Sequence, residues 1–120
     1  MTLNELRDKA FAYAERQGFH KEPVNFAERI MLVVTELSEA VQADRGDLWA
    51  SKTFPDKITC EDCERMYALP VAGSVEEEIA DALIRMFSIA GIYNIDLDYH
   101  VNVKMAYNET RPCGHGKKYG

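Results

Sequence analysis

The sequence has a shortage of positive charge. Of its 120 residues, 14 are Lys or Arg and 20 are Asp or Glu, which gives a formal net charge of -6. Basic side chains dominate nowhere except at the C-terminal end. A nucleic acid polymer is bound by a basic stripe, so the charge balance argues against that class of partner. An acidic protein that handles phosphate groups must first recruit a cation.

Long apolar runs and paired cysteines are also missing. The longest apolar run is far too short to span a bilayer, and residues 1–20 carry acids and bases throughout, without the apolar centre of a signal peptide. The three cysteines cannot all pair within one chain. We therefore expect a cytoplasmic protein with reduced thiols and no membrane partner.

What the sequence does contain is apolar residues at helical spacing. Hydrophobic residues make up 47% of the chain, which is typical of a globular protein, and residues 1–120 fit a single domain. No stretch alternates with period two for long enough to predict a sheet. The predicted fold class is all-α, with a four-helix bundle-like arrangement.

Four helices are predicted, and three of them begin with a capping-box pattern. Their predicted bounds are Leu3 to Gln17, Phe26 to Arg45, Val75 to Tyr93, and about Asp96 to Glu109. The capping pairs are Thr2 with Glu5, Asn25 with Glu28, and Ser74 with Glu77. The stretch from Asp47 to Gly73 is predicted to be a long connection, with a short helix around Glu61 to Ala68.

Regular apolar stripes on these helices predict packing against other helices. The two longest stripes are Ala27, Ile30, Val34, Leu37 and Val41, and Ile79, Leu83, Met86, Ala90 and Tyr93. Several apolar stripes in so short a chain exceed what one thin bundle buries. We therefore expect a homodimer or a larger homo-oligomer.

Two acidic pairs occur on consecutive long helices. Glu36 and Glu39 are three residues apart, as are Glu78 and Asp81, and this spacing puts each pair on one helical face. Two such pairs on adjacent helices could surround one point, where four carboxylates require a hard cation such as Mg²⁺. Because they neighbour the apolar stripes, we expect them at the edge of the core. The alternative is an ordinary solvated acidic surface.

The C-terminal segment supplies cations at helical spacing. Lys104, Asn108 and Arg111 share a face if the last helix continues, and His115 and Lys117 follow on a glycine-flanked stretch. Arg can grip a phosphate with two N–H groups, and Lys provides a point charge. The alternative is a solubilising helix end whose cations complement the helix dipole.

Together these stretches resemble the MazG-like nucleotide pyrophosphohydrolases, in the all-α NTP pyrophosphatase group. The resemblance lies in "NFAERIMLVVTELSEAVQADRGD", "VEEEIADALIRMFSIAGIYNIDLD" and "KMAYNETRPCGHGKKYG", and it covers nearly the whole chain apart from residues 50–73. The family pattern is EExxE followed by ExxD. Its acids fall on Glu36, Glu39, Glu78 and Asp81, whereas the first acid of EExxE is replaced by Thr35.

The resemblance implies a Mg²⁺-dependent enzyme that hydrolyses a (deoxy)nucleoside triphosphate to the monophosphate and pyrophosphate, usually to clear unwanted nucleotides. It implies an oligomeric helical fold and phosphate contacts from Lys104, Asn108 and Arg111, with His115 and Lys117 as further substrate-binding candidates. For catalysis, Glu39 is the expected proton acceptor for the attacking water, and Lys104 is expected to neutralise charge on the phosphate oxygens.

Aromatic and amide side chains could bind the base, although each is also suited to packing at a helix junction. These candidates are Phe19, Asn25, Phe26, Trp49 and Phe54.

Other interpretations remain open at this point. Cys60, Cys63, Cys113 and His115 could form a structural zinc set, although three unpaired thiols are the simpler interpretation. The protein could instead be a non-catalytic helical interaction or regulatory module. Among enzymes, a dimeric dUTPase and a phosphoribosyl-ATP pyrophosphohydrolase share the acidic helix pattern.

Overall fold

The structure, a computed structural model, describes residues 1–21, 23–53 and 71–112. The described residues form helices joined by turns, with no strand among them, which confirms the all-α fold class. The helices are α1 (Leu3–Arg16), α2 (Phe26–Arg45), α3 (Ala50–Thr53), α4 (Val75–Ile92) and α5 (Leu97–Glu109). Within these residues, no helix is both long and apolar enough to cross a membrane.

Side chains cap the long helices where the sequence predicts it. Thr2 and Glu5 form a complete capping box at α1. At α2, Asn25 accepts from the Glu28 N–H at 2.8 Å, but the Glu28 carboxylate accepts from the Asn25 side-chain amide rather than from its backbone. Such caps satisfy N–H groups that have no partner within the helix, so the starts of the helices can be found from sequence.

The short helix α3 is not predicted by the sequence. Its first two N–H groups, those of Ala50 and Ser51, donate to the carboxylate of Glu76 at 2.8 and 2.9 Å. A carboxylate from the first turn of α4 therefore caps α3, and this partner lies 26 residues away from Ala50 in sequence. The predicted short helix around 61–68 lies outside the described residues.

Helices α2 and α4 form an antiparallel pair. At one end, the rings of Phe26 and Tyr93 lie 5.2 Å apart between centroids, and at the other the N–H of Val75 donates to the carbonyl of Leu48 at 2.9 Å. The side chains that lie between the two helices recur every three or four residues, and we call this set the seam. Most of them are buried or half-buried. The seam consists of Arg29, Val33, Glu36, Ala40 and Ala43 from α2 and Val75, Glu78, Ala82, Arg85 and Ile89 from α4.

The seam corrects the prediction of which stripes are buried in the chain. The predicted stripes are displaced from the seam by one position, and most of their residues are exposed: Leu37 is 43% exposed and Leu83 47%. Because α2 and α4 are antiparallel, residues that follow the seam by one position lie on the same side of the pair. We call this side the apolar face. It consists of Ile30, Val34, Leu37 and Val41 from α2 and Ile79, Leu83 and Met86 from α4.

Helix α1 packs on α4, and Gly91 permits the close approach. A Cβ built on Gly91 would lie 2.6 Å from the Cβ of Phe11, which is closer than real contacts allow. Helix α5 docks on the start of α1: Asp98 accepts from the N–H groups of Leu3 and Asn4, at 3.0 and 3.1 Å. In return, the Asn4 side-chain oxygen accepts from the N–H of Leu97 at 2.9 Å, so that each helix caps the other.

Candidate metal centre

Three carboxylates converge where α2 and α4 pack together. Glu36, Glu78 and Asp81 each offer an oxygen, and these oxygens all lie within 4.8 Å of one another. Glu36 and Glu78 belong to the seam itself rather than to its edge. The small seam residues Ala40 and Ala82 are buried beside them, and small residues let two helix backbones approach closely. The fold therefore holds the acids between the helices instead of on the solvated side.

Glu78 is the most constrained of these acids. It is only 9% exposed, and its Oε2 is buried without a hydrogen-bond partner among the described residues. Its pKa is raised to about 7, first by burial and then by the neighbouring Glu39 and Glu36 carboxylates, which accept a hydrogen bond from its protonated form and repel its charge. A carboxylate without a partner in such surroundings is costly unless a proton or a cation neutralises it.

The other acids differ in their surroundings. Burial, followed by the charge of Glu36, raises the pKa of Asp81. Glu39 does not belong to the three converging carboxylates and is exposed, although it lies within hydrogen-bonding reach of Glu78. Three of the four acids predicted to bind metal are thus brought together, with Glu39 adjoining them on the exposed side. An all-oxygen set of this kind is the chemistry that Mg²⁺ prefers.

Arg85 is a site residue that the sequence analysis missed. Its Nε donates to Oε1 of Glu36 at 2.8 Å, and this contact holds the pKa of Glu36 below its usual range. The Arg85 side chain is half-exposed, whereas the Glu36 side chain is largely buried. A pattern in the sequence could have indicated it: Arg85 follows Asp81 by one helical turn, so both lie on the same part of α4.

Glu36 and Asp81 open onto a cleft of about 1060 Å³ between α1 and the α2–α4 pair. Glu36, Asp81 and Arg85 line one part of this cleft. Its remaining cations come from α1 and α2, and its aromatic residues come largely from α1 and the turn that follows it. These residues are Lys9, Arg16 and Arg29, and Tyr13, Phe19, His20 and Phe87. The cleft therefore combines positive charge with ring surfaces beside the acids.

The predicted phosphate-binding residues lie elsewhere. Lys104 and Asn108 are exposed on α5, and no hydrogen bond or ion pair between described residues joins them to the four acids. The Lys104 ammonium and the Arg111 guanidinium lie over the ring of Tyr107, at 5.0 and 5.7 Å from its centroid. The structure thus groups Lys104 with Arg111 around Tyr107, and neither is among the described residues that line the cleft beside the acids. The candidates at 115 and 117, and the cysteines at 60, 63 and 113, lie outside the described residues.

Among the base-binding candidates that the structure describes, only Phe19 lines the cleft. Asn25 caps α2, the ring of Phe26 packs on Tyr93, and Trp49 donates from its Nε1 to Asp44 at 3.0 Å. These three have structural roles, as the packing interpretation expects, and the candidate at 54 lies outside the described residues.

Comparison of the chain with models of protein families, with characterised proteins and with solved structures finds no match.

Proposed function

We propose that this protein is a cytoplasmic, Mg²⁺-dependent nucleoside triphosphate pyrophosphohydrolase of the MazG-like kind. It would convert a (deoxy)nucleoside triphosphate to the monophosphate and pyrophosphate, as a step in nucleotide housekeeping. The observation that carries the proposal is the convergence of Glu36, Glu78 and Asp81 around the buried, unpartnered Oε2 of Glu78, beside a cleft lined with cations.

The acidic cluster fits a magnesium ion by its chemistry. Glu36, Glu78 and Asp81 would hold the ion, with Glu39 in reach as a further ligand. When bound, Mg²⁺ would polarise a phosphate and activate a water for attack. An ion would also neutralise the carboxylate of Glu78, whose pKa is raised by burial and by its acidic neighbours, so the electrostatics of the cluster support the proposal.

The remaining roles belong to the chain's own side chains. Glu39, the most exposed of the four acids, would accept the proton of an attacking water. Arg16 and Arg29 line the cleft and would bind phosphate oxygens with paired N–H groups. Lys104, Asn108 and Arg111 remain proposed phosphate contacts, on the strength of the family resemblance alone. Phosphoryl chemistry of this kind needs positioning and charge and no Ser or Cys nucleophile.

We further propose that the protein works as a homodimer or larger homo-oligomer. The apolar face runs along both α2 and α4, and its residues, including Leu37 and Leu83, are 38–52% exposed in the single chain. A contiguous apolar surface of this kind is rarely left in water. Helix α1 covers the other side of the pair, so a second copy could cover this face without obstructing the cleft.

Release of pyrophosphate from a panel of common ribo- and deoxynucleoside triphosphates, measured with and without Mg²⁺, tests the function. The panel also includes dUTP and phosphoribosyl-ATP, which would identify the two rival enzymes. We expect Mg²⁺-dependent turnover in the wild type and none in Asp81→Asn, which keeps the side-chain shape and removes its charge. Glu109→Gln neutralises an exposed acid of α5 and should retain activity. Absence of pyrophosphate with every substrate would favour the non-catalytic interaction module.

The cations are tested in the same assay. Arg16→Ala and Lys104→Ala each remove one charge and leave the acids intact. A lost charge-assisted bond costs about 1.5–3 kcal/mol, or about one to two decades in nucleotide affinity or rate. Normal kinetics in Lys104→Ala would remove Lys104 from the mechanism and leave the metal site unaffected.

A further inference from the structure

A second polar cluster lies in the same cleft, away from the acids. His20 Nδ1 lies 2.7 Å from Oε1 of Glu15, and His20 Nε2 lies 3.1 Å from Oγ of Ser88. The imidazole ring also packs against Phe11, with 5.1 Å between ring centroids, and the His20 side chain is only 11% exposed. Three neighbours therefore hold the ring in one orientation.

The position of this cluster relative to the acids suits a nucleotide. His20 and Ser88 line the cleft together with Glu36 and Asp81. Ser88 follows Asp81 by two helical turns, which is a separation of about 10 Å along α4. A nucleotide whose phosphates lie at the acids would extend its nucleoside along the cleft towards Ser88.

The walls beside the cluster are apolar and aromatic. Phe19 is 60% exposed, and its ring packs edge-on against Tyr13, with centroids 6.4 Å apart. Both rings line the cleft, as does Val24. Flat apolar walls with one oriented polar group are typical of a pocket that recognises a base.

The chain from Ser88 through His20 to Glu15 has the connectivity of a nucleophilic triad, but its surroundings do not suit that chemistry. Ser88 lies in the interior of α4, where the backbone N–H groups are used within the helix. Acyl transfer needs free N–H donors aimed at the developing oxyanion. Recognition of a ligand is therefore the better interpretation.

The direction of the hydrogen bonds determines what can be recognised. A carboxylate can only accept, so Nδ1–H of His20 donates to Glu15. In the neutral imidazole, Nε2 is then the acceptor, and the Ser88 hydroxyl donates to it. This leaves Ser88 Oγ with lone pairs and no proton to offer, so it accepts from a ligand.

From this arrangement we infer that Ser88, oriented by His20 and Glu15, recognises the exocyclic amino group of an amino-bearing base, as in cytosine, adenine or guanine. The inference rests on the proposed function, since it places the base in the cleft beside the metal site. Uracil and thymine present a carbonyl oxygen where cytosine presents its amino group. Two acceptors would then face each other, and a site built for a donor rejects such an analogue.

The closest matched pair of substrates is dCTP and dUTP, and a second pair, CTP and dCTP, tests the 2′-hydroxyl. Assays run at pH 8, above the ordinary range of imidazole titration. We expect kcat/KM to favour dCTP over dUTP by about tenfold to a hundredfold. Ser88→Ala should lower the value for dCTP and leave that for dUTP nearly unchanged, whereas Ser88→Thr keeps the hydroxyl and should keep the preference.

His20→Phe supplies a sharper test. The ring still packs on Phe11, but Ser88 loses the acceptor for its proton and can donate to a carbonyl oxygen instead. The preference for dCTP should therefore weaken or reverse. Ser38→Ala, on the exposed surface of α2, is the matched control. Thermal melting of each variant separates loss of recognition from loss of folding.

Binding of dCMP and dUMP, measured by calorimetry without turnover, keeps this inference separate from the proposed function. If dCMP binds better and Ser88→Ala removes the difference, recognition stands even where no triphosphate is hydrolysed. Equal binding of the two nucleotides with normal turnover would overturn the inference and leave the function intact. The wild type could instead distinguish CTP from dCTP but treat dCTP and dUTP alike. If Ser88→Ala then loses the distinction between CTP and dCTP, Ser88 recognises the sugar, and recognition of the base is overturned. Loss of all nucleotide binding and turnover would overturn both.

Discussion

Arg85 and Glu36 form an ion pair at 2.8 Å, so one acid of the cluster is neutralised by a side chain of the same protein. A divalent cation at Glu36 would compete with this guanidinium for the same carboxylate. The half-exposed Arg85 is then free to turn into the cleft, where it would meet a phosphate.

Arg85→Ala is therefore expected to tighten cation binding while it weakens nucleotide binding. Removal of a unit charge about 4 Å from an ion changes its binding free energy by about 1 kcal/mol in high dielectric, or about fivefold in affinity. Calorimetric titration with Mn²⁺ or Mg²⁺ measures the effect. Arg85→Lys keeps the charge and should stay near wild type, and Arg45→Ala removes an exposed charge from the end of α2 as a control. Weaker cation binding in Arg85→Ala would show that the pair supports the site instead of competing with the ion.

Glu78 should make the free energy of unfolding of the metal-free protein depend on pH. Its folded pKa of about 7 exceeds the ordinary 4.5 of a glutamic acid, so between these values the folded state binds more protons than the unfolded state. The free energy of unfolding should then fall as pH rises from about 4.5 to about 7 and stay low above it. The raised pKa of Asp81 acts in the same direction.

Glu78→Gln should remove most of this dependence and stabilise the metal-free protein at pH 8. The gain should be about 1–3 kcal/mol, the usual cost of a buried group without a partner. Denaturant unfolding at several pH values measures it, and saturating Mg²⁺ should stabilise the wild type but not the variant. A wild type whose stability is flat from pH 4.5 to 7 would contradict the assignment of a strained carboxyl at this position.

The sequence predicts the long helices to within one residue, because their ends are determined by local chemistry such as the caps at Thr2 and Asn25. It does not identify the stripe that is buried within the single chain, because α2 has two stripes at helical spacing and the more apolar one contains Leu37. The seam instead uses Ala40, Ala82 and the acids, and hydrophobicity alone does not favour such residues. The position of Arg85 one turn after Asp81 indicates only that the two share a part of α4. The pairing of Arg85 with Glu36 and the shape of the cleft depend on how distant segments pack, which no local pattern specifies.

Gly91→Ala tests the packing of α1 on α4. The added Cβ would meet the Cβ of Phe11 at 2.6 Å, an atom fixed to the backbone of α1, so one helix must shift. Overpacking of this kind costs about 1–3 kcal/mol, against a gain in helix propensity of at most about 1 kcal/mol. Gly46→Ala is the control, since its Cβ makes only ordinary contacts, the nearest at 3.6 Å to Leu48. Equal melting temperatures for the two variants would contradict the close contact between α1 and α4 at Gly91.

Leu83→Glu tests the apolar face. A charge placed in a buried interface between copies is costly, so the variant should be a monomer at micromolar concentration where the wild type is at least a dimer. Light scattering coupled to size exclusion gives the mass of each. Ser38→Glu adds the same charge at an exposed position of α2 outside the apolar face and should leave the assembly intact. A monomeric wild type would refute the proposed homo-oligomer.

The reciprocal capping of α1 and α5 has a consequence for the order of folding. The bond from the Leu3 N–H to Asp98 joins residues 95 positions apart, whereas Glu36 and Arg85 are separated by only 49. Closing the larger loop costs more chain entropy. The acidic centre can therefore assemble on the α2–α4 pair before the two ends of the chain meet, and the contact between α1 and α5 completes the fold late.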